Sequence, residues 1–153
     1  MVKVGDNIPN IDLVEGKPDA KVNLCKELGS GLIIGVPAAF SPACSDTHIP
    51  GYIAHSKLKS AGKVFVVSVN DAFVMNAWAK SLDENSSSGI RFLGDPSGAF
   101  TRALDVEFEA APLLGTNRSK RYAIVVENGK VKSVDIEPDN IGVNVSAADK
   151  ILG

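Results

Sequence analysis

Cys44 lies in the stretch Gly35 to Gly51, GVPAAFSPACSDTHIPG, with Pro37 and Ser41 before it and His48 four residues after it. These residue types suit thiol chemistry. A thiolate is a strong nucleophile, a hydroxyl beside it can accept or donate a hydrogen bond, and a proline shapes the loop without adding a donor. Each has a plainer reading: Cys44 as an inert core residue, Ser41 as a turn serine beside Pro42, and Pro37 as a strand terminator. His48 falls on the same helical face as Cys44 and can bind near the reacting group or steady the loop. A histidine making a local hydrogen bond at a helix start would look the same.

Position favours the chemical reading. Leu32-Ile33-Ile34-Gly35-Val36 is a short continuous apolar run that suits a fully buried strand. Pro37 and Pro42 break it, and the following residues read as a helix to about Ala61, with Gly62 as its stop. A thiol delivered where a strand ends and a helix begins meets unpaired backbone N–H groups and the positive end of the helix dipole. A free thiol ionises near pH ~8.5, and holding one ionised at neutral pH takes roughly 3–4 kcal/mol, of which a helix terminus supplies at most ~2 kcal/mol. A fixed cation from elsewhere in the chain is therefore expected beside Cys44.

The remaining elements supply a scaffold for this loop. Val4 to Leu13 reads as a loop and a short strand, Glu15 to Ala20 as a polar stretch, and Val22 to Leu28, which contains Cys25, as a strand end or short helix. Val64 to Val69 is a second buried strand, suited to a parallel sheet covered on both faces. Asn70 or Asp71 can cap the next helix, with Val74, Ala77, Trp78 and Leu82 along one face. Asp83 to Gly89 is a surface loop, Ile90 to Leu93 a third strand, and Asp95 to Gly98 a turn feeding a short helix through Leu104. Glu107 to Gly115 has no clean period and reads as loop. Tyr122 to Val126 and Val131 to Ile136, joined at Asn128-Gly129, form a hairpin signal. Ser146-Ala147-Ala148-Asp149 matches a capping box opening a last helix. Strands and helices alternating, then a late hairpin, predict an α/β fold with a mixed central sheet flanked by helices in one domain over residues 1–153.

A chain of 153 residues with 44% hydrophobic residues can bury a core without disulfides. Its two cysteines stand in neither C-x-x-C nor metal-ligand spacing, and without a secretory leader they suit a reducing, intracellular compartment. A net charge of −2 argues against nucleic acid or an anionic membrane as the main partner, and no apolar stretch is long enough for a membrane span.

Pro37-x-x-x-Ser41-x-x-Cys44 resembles the P-x-x-x-[ST]-x-x-C motif of peroxiredoxins, and Thr47-His48-Ile49-Pro50-Gly51-Tyr52 is similar to the peroxiredoxin-5, or type II, subfamily. Ser68 to Val74, Trp78-Ala79-Lys80, Asp95 to Phe100 and Arg118 to Tyr122 follow in that subfamily's order and spacing. The resemblance implies a thioredoxin-like fold, a homodimer, and a thiol peroxidase that uses no cofactor or metal. Cys44 would attack hydrogen peroxide or an alkyl hydroperoxide and become a sulfenic acid. It also implies that the missing cation is Arg121, at the last position of R-x-K-R-[FY], with Arg118 as fallback; by charge pattern alone Arg118, Lys120 and Arg121 would be a solvated cluster. Ala38 stands where many relatives have glycine.

Some members carry a resolving cysteine in the segment that here reads Gly142 to Ser146, which has none. Cys25 is the one remaining internal partner. The expectation is a one-cysteine cycle reset by an external thiol such as glutathione, glutaredoxin or thioredoxin, in preference to resolution by Cys25. The competing function is a peroxide sensor or redox relay that passes Cys44 oxidation to a partner. The compartment expected is cytoplasmic; some fungal relatives are peroxisomal, but Lys150-Ile151-Leu152-Gly153 is not an S-K-L type signal.

Overall fold

The computed structural model describes residues 1–153. Its strands are β1 (Asp12–Glu15), β2 (Lys17–Asn23), β3 (Gly31–Gly35), β4 (Lys63–Ser68), β5 (Arg91–Gly94), β6 (Glu107–Phe108), β7 (Arg118–Ser119), β8 (Tyr122–Glu127) and β9 (Lys130–Ile136). Its α-helices are α1 (Leu24–Glu27), α2 (Ile49–Ala54), α3 (Ala72–Leu82), α4 (Ala99–Ala103), α5 (Ala111–Leu114) and α6 (Ala148–Leu152). Seven strands form one sheet in the order β2-β1-β5-β4-β3-β8-β9, in which β3 runs parallel to β4 and antiparallel to β8. This is the mixed, thioredoxin-like sheet that the resemblance implies.

All five residues of β3 are buried because both faces of the sheet are covered. On one face Ile33, Phe65 and Tyr122 pack with Leu24 of α1, Leu28 just after it, and Phe100 of α4. On the other, Ile34, Val36 and Val66 pack with Tyr52 of α2, Met75 and Trp78 of α3, and Cys44. The thiol therefore belongs to the α2 and α3 side. No helix is long and apolar enough to cross a membrane.

Several boundaries differ from the sequence expectation for local reasons. The helix after Cys44 ends at Ala54, short of Ala61: His55 turns extended and its Nδ1 accepts from Lys57 N at 3.0 Å, a side-chain bond that competes with helix continuation. Glu15 to Ala20 is partly strand, and its polarity is that of the exposed sheet edge formed by β2. On α3 the buried residues are Ala72, Met75 and Trp78, while Ala77 is exposed, so the apolar stripe is rotated from the expected one. Asp71 caps α3, accepting from Val74 N at 2.8 Å. Glu107 to Gly115 holds β6, paired with β7, and the single turn of α5; elements this short leave no periodicity to read. Ser146 does not close a capping box, because its hydroxyl donates to Glu137 instead.

Candidate active site

Beyond β3 the chain is tied to β4, Val36 N donating to Val67 O at 3.1 Å. Ala39 N then donates to Asn70 Oδ1 at 3.1 Å, which pins the loop to the turn before α3. Phe40 takes a left-handed φ of 65° and is exposed. Helical geometry begins at Pro42, whose missing N–H is one that a helix start leaves unpaired anyway. Ser45 N donates to Ser41 O at 2.9 Å, so Cys44 sits in the first turn.

That turn is wide. Cys44–His48 is a π-helical segment, with Ile49 N donating to Cys44 O. Pro50 accounts for it: it has no N–H for the Asp46 carbonyl, and its ring would clash with that carbonyl in α geometry. Cys44, His48 and Ile49 all turn inward and are buried. Trp78 Nε1 donates to Ser45 Oγ at 2.9 Å and anchors the turn to α3.

Arg121 arrives through the sheet register. Gly35 pairs with Tyr122, so the residue before β8 stands just past the end of β3. Gly35 has no side chain, and the Tyr122 ring occupies the space where a Cβ would be. Alternation along the strand then sends Arg121 to the opposite face, where Cys44 lies. Its guanidinium is 1% exposed. Nη2 donates to Cys44 Sγ at 3.3 Å, Nε to Ile141 O at 3.1 Å, and Nη1 contacts His48 Nδ1 at 3.0 Å. Three of a guanidinium's five N–H groups are thereby engaged, leaving two for an oxygen placed beside the sulfur.

His48 Nε2 lies 3.1 Å from Ser146 O, which can only accept. The proton therefore resides on Nε2 and Nδ1 takes the Arg121 bond as a neutral acceptor. Burial, then the Arg121 charge, lower the His48 pKa to about 4, so the ring stays neutral at pH 7. Tyr52 OH donates to the same Ser146 carbonyl at 2.6 Å.

The structure thus brings Cys44, Arg121 and His48 into one buried contact chain, with Pro37 buried at the end of β3. Two of the side chains named from the sequence have their polar groups committed. Ser41 Oγ donates to Ala38 O at 2.8 Å, so its proton is engaged and it faces the site as an acceptor only. His48 is 1% exposed, and its ring nitrogens contact Arg121 and the Ser146 carbonyl. Arg118 donates to Val69 O and Leu114 O, away from the sulfur. Cys25 is exposed on α1, across the sheet from Cys44. Sequence reasoning missed Tyr52, Ser146 and Glu137 as members of the network. Tyr52 entered only as part of the family pattern, and Ser146 only as a cap.

A cavity of about 360 Å³ opens beside Arg121. Pro37, Ser41, Pro42, Leu113, Leu114 and Ile141 line it together with Arg121. The sulfur itself is fully enclosed, and Arg121 is the group that both lines the cavity and touches it. The arrangement can hold a thiolate against a fixed positive charge and offer N–H donors to a small oxygen-rich molecule.

Residues 3–152 match the Redoxin family. The chain is 48% identical to the peroxisomal membrane associated protein 20 of Schizosaccharomyces pombe, over 99% of this chain and 98% of the relative. The structure of reduced Prx3 in complex with hydrogen peroxide from Vibrio vulnificus superposes with a TM-score of 0.88 at 35% identity, covering 99% of this chain and 98% of that one. Peroxiredoxin 5 from Alvinella pompejana gives a TM-score of 0.82 at 38% identity, covering 92% and 93%.

Proposed function

This chain belongs to the Redoxin family as a peroxiredoxin of the type II, peroxiredoxin-5-like kind, it is a thiol peroxidase, and we propose that Cys44 is its peroxidatic residue. The observation that carries this reading is the 3.3 Å contact between Arg121 Nη2 and Cys44 Sγ, with the sulfur enclosed and Arg121 lining the cavity beside it. A guanidinium does not deprotonate, so it favours the thiolate throughout the working pH range.

The thiolate forms a bond to the terminal oxygen of a hydroperoxide while the O–O bond breaks. The leaving oxygen departs as hydroxide or alkoxide and takes a proton from solvent, giving water or an alcohol, and Cys44 becomes a sulfenic acid. Negative charge grows on the leaving oxygen, and the two uncommitted N–H groups of Arg121 are placed to meet it. Ser41 accepts a hydrogen bond from the peroxide O–H, and Pro37 keeps water from the sulfur. Hydrogen peroxide and small alkyl hydroperoxides fit the cavity, where Leu113, Leu114 and Ile141 suit a short alkyl group.

The cycle uses one cysteine. Cys25 lies on α1, on the sheet face opposite Cys44 and before the start of β3, whereas Cys44 follows its end; a disulfide needs Cα atoms within about 7 Å. An external thiol such as glutathione, glutaredoxin or thioredoxin condenses with the sulfenic acid, releasing water and forming a mixed disulfide. A second thiol then releases Cys44. The exposed side chains of Leu113 and Ile141, which line the cavity, support a homodimer formed through these loops. An intracellular, cytoplasmic setting fits the free thiols, and the name of the Schizosaccharomyces pombe relative raises a peroxisomal one. Peroxide consumption with an added thiol donor tests the assignment: Cys44→Ser should abolish turnover, and retained turnover would overturn it.

A further inference from the structure

Glu137 follows directly after β9 and is 1% exposed, yet it makes no contact with Cys44 or Arg121 through its side chain. One carboxylate oxygen, Oε2, accepts from Asn144 N at 2.8 Å, Ser146 N at 2.9 Å and Ser146 Oγ at 2.6 Å. Its other oxygen is buried with no partner. Such an uneven load on a buried carboxylate costs desolvation, and its structural effect is to fold the 144–146 backbone back on itself. The result is that the Ser146 carbonyl points at His48 Nε2 and Tyr52 OH at once.

That carbonyl decides which imidazole nitrogen carries the proton. With Nε2–H directed to Ser146 O, Nδ1 is free to accept from Arg121 Nη1. The backbone makes a second link between the same residues, Glu137 N donating to Arg121 O at 2.9 Å and Arg121 N to Asn140 O at 2.8 Å. Burial works to raise the Glu137 pKa, but the hydrogen bonds from Ser146 and Asn144 outweigh it and lower it, so the group is ionised at neutral pH.

We propose that Glu137 is a positioning residue for the peroxidase reaction, which sets the Arg121 guanidinium on Cys44 by way of Ser146 and the tautomer of His48. This rests on Cys44 and Arg121 having the roles given above. Glu137 acts through hydrogen-bond geometry and not through its charge, and the two routes have opposite signs. Removing a nearby negative charge would favour the Cys44 thiolate by electrostatics alone. Removing the acceptor that aims Ser146 releases Arg121 and disfavours it.

The test is the rate of Cys44 alkylation at about pH 6, where an unaided thiol is almost wholly protonated, in a Cys25→Ser background. Glu137→Ala is expected to slow alkylation by about tenfold relative to the parent, His48→Ala by a similar factor, and the double variant by little more than either single one, since they act in series. Glu137→Gln keeps an acceptor in place, should stay within about twofold of the parent, and remains informative if the alanine variant does not fold. Alkylation in Glu137→Ala at or above the parent rate, a multiplicative double variant, or a tenfold loss in a folded Glu137→Gln would each overturn the proposal. A parent that itself fails to alkylate at this pH would instead remove the reading of Cys44 and Arg121.

Discussion

Arg121 Nη2 and Cys44 Sγ meet at 3.3 Å although 77 residues separate them. The contact follows from one register, Gly35 opposite Tyr122, which sets the residue before β8 against the loop that leaves β3. A buried guanidinium without an anion would be costly, and here its partners are the sulfur, a carbonyl and a neutral imidazole. The site and the sheet are therefore specified by the same pairs of residues.

Gly35→Ala tests that link. A methyl group at this position would overlap the buried Tyr122 ring, and overpacking of a core typically costs about 1–3 kcal/mol. A lower urea midpoint is expected, with reduced peroxidase activity because β8 carries Arg121. A variant with the parent's midpoint would contradict the tight fit.

His48 makes stability depend on pH. Its pKa falls from 6.5 in the unfolded chain to about 4 in the fold, by burial first and Arg121 second. Above pH ~6.5 both states hold a neutral ring; as pH falls below that value the unfolded state binds a proton and the native state does not, so stability is lost down to pH ~4, by roughly 3 kcal/mol. Urea unfolding of the parent at pH ~7 and ~4.5 should therefore differ more than that of His48→Gln, in which this contribution is absent and the carboxylate contributions remain. Equal losses in the two proteins would show that the ring is not held neutral by the fold.

Much of this arrangement is legible in the residues. The run before Gly35, the two prolines and Cys44 announce a thiol at a strand-to-helix junction, and Asn128-Gly129 announces the hairpin, both residues taking positive φ. The need for a cation follows from the energetics of ionising a thiol, and the family pattern points to Arg121. The supports of that cation are not legible: Glu137 acts on backbone groups of a loop with no period, and Ser146 contributes a carbonyl, which any residue has. The π turn is hidden likewise, since Pro50 also reads as an ordinary residue of a first helical turn.

Cys25→Ser addresses the reductive half of the cycle. With an external thiol, turnover should stay within about twofold of the parent, since exposed surface substitutions rarely matter beyond ~0.5 kcal/mol. Intact mass after one equivalent of peroxide should show oxygen added to Cys44 or a mixed adduct with the thiol. Loss of turnover, together with loss of two hydrogens in the parent, would assign Cys25 as the resolving residue.

The most direct measurement follows Cys44 alkylation by iodoacetamide across pH in the Cys25→Ser background, with and without Arg121→Ala. The parent should react faster than an unaided thiol at neutral pH, and the variant should lose at least about tenfold of that rate, the order expected when a fixed cation is removed from a buried thiolate. Superimposable profiles in the two proteins would contradict the central claim that Arg121 holds Cys44 ionised.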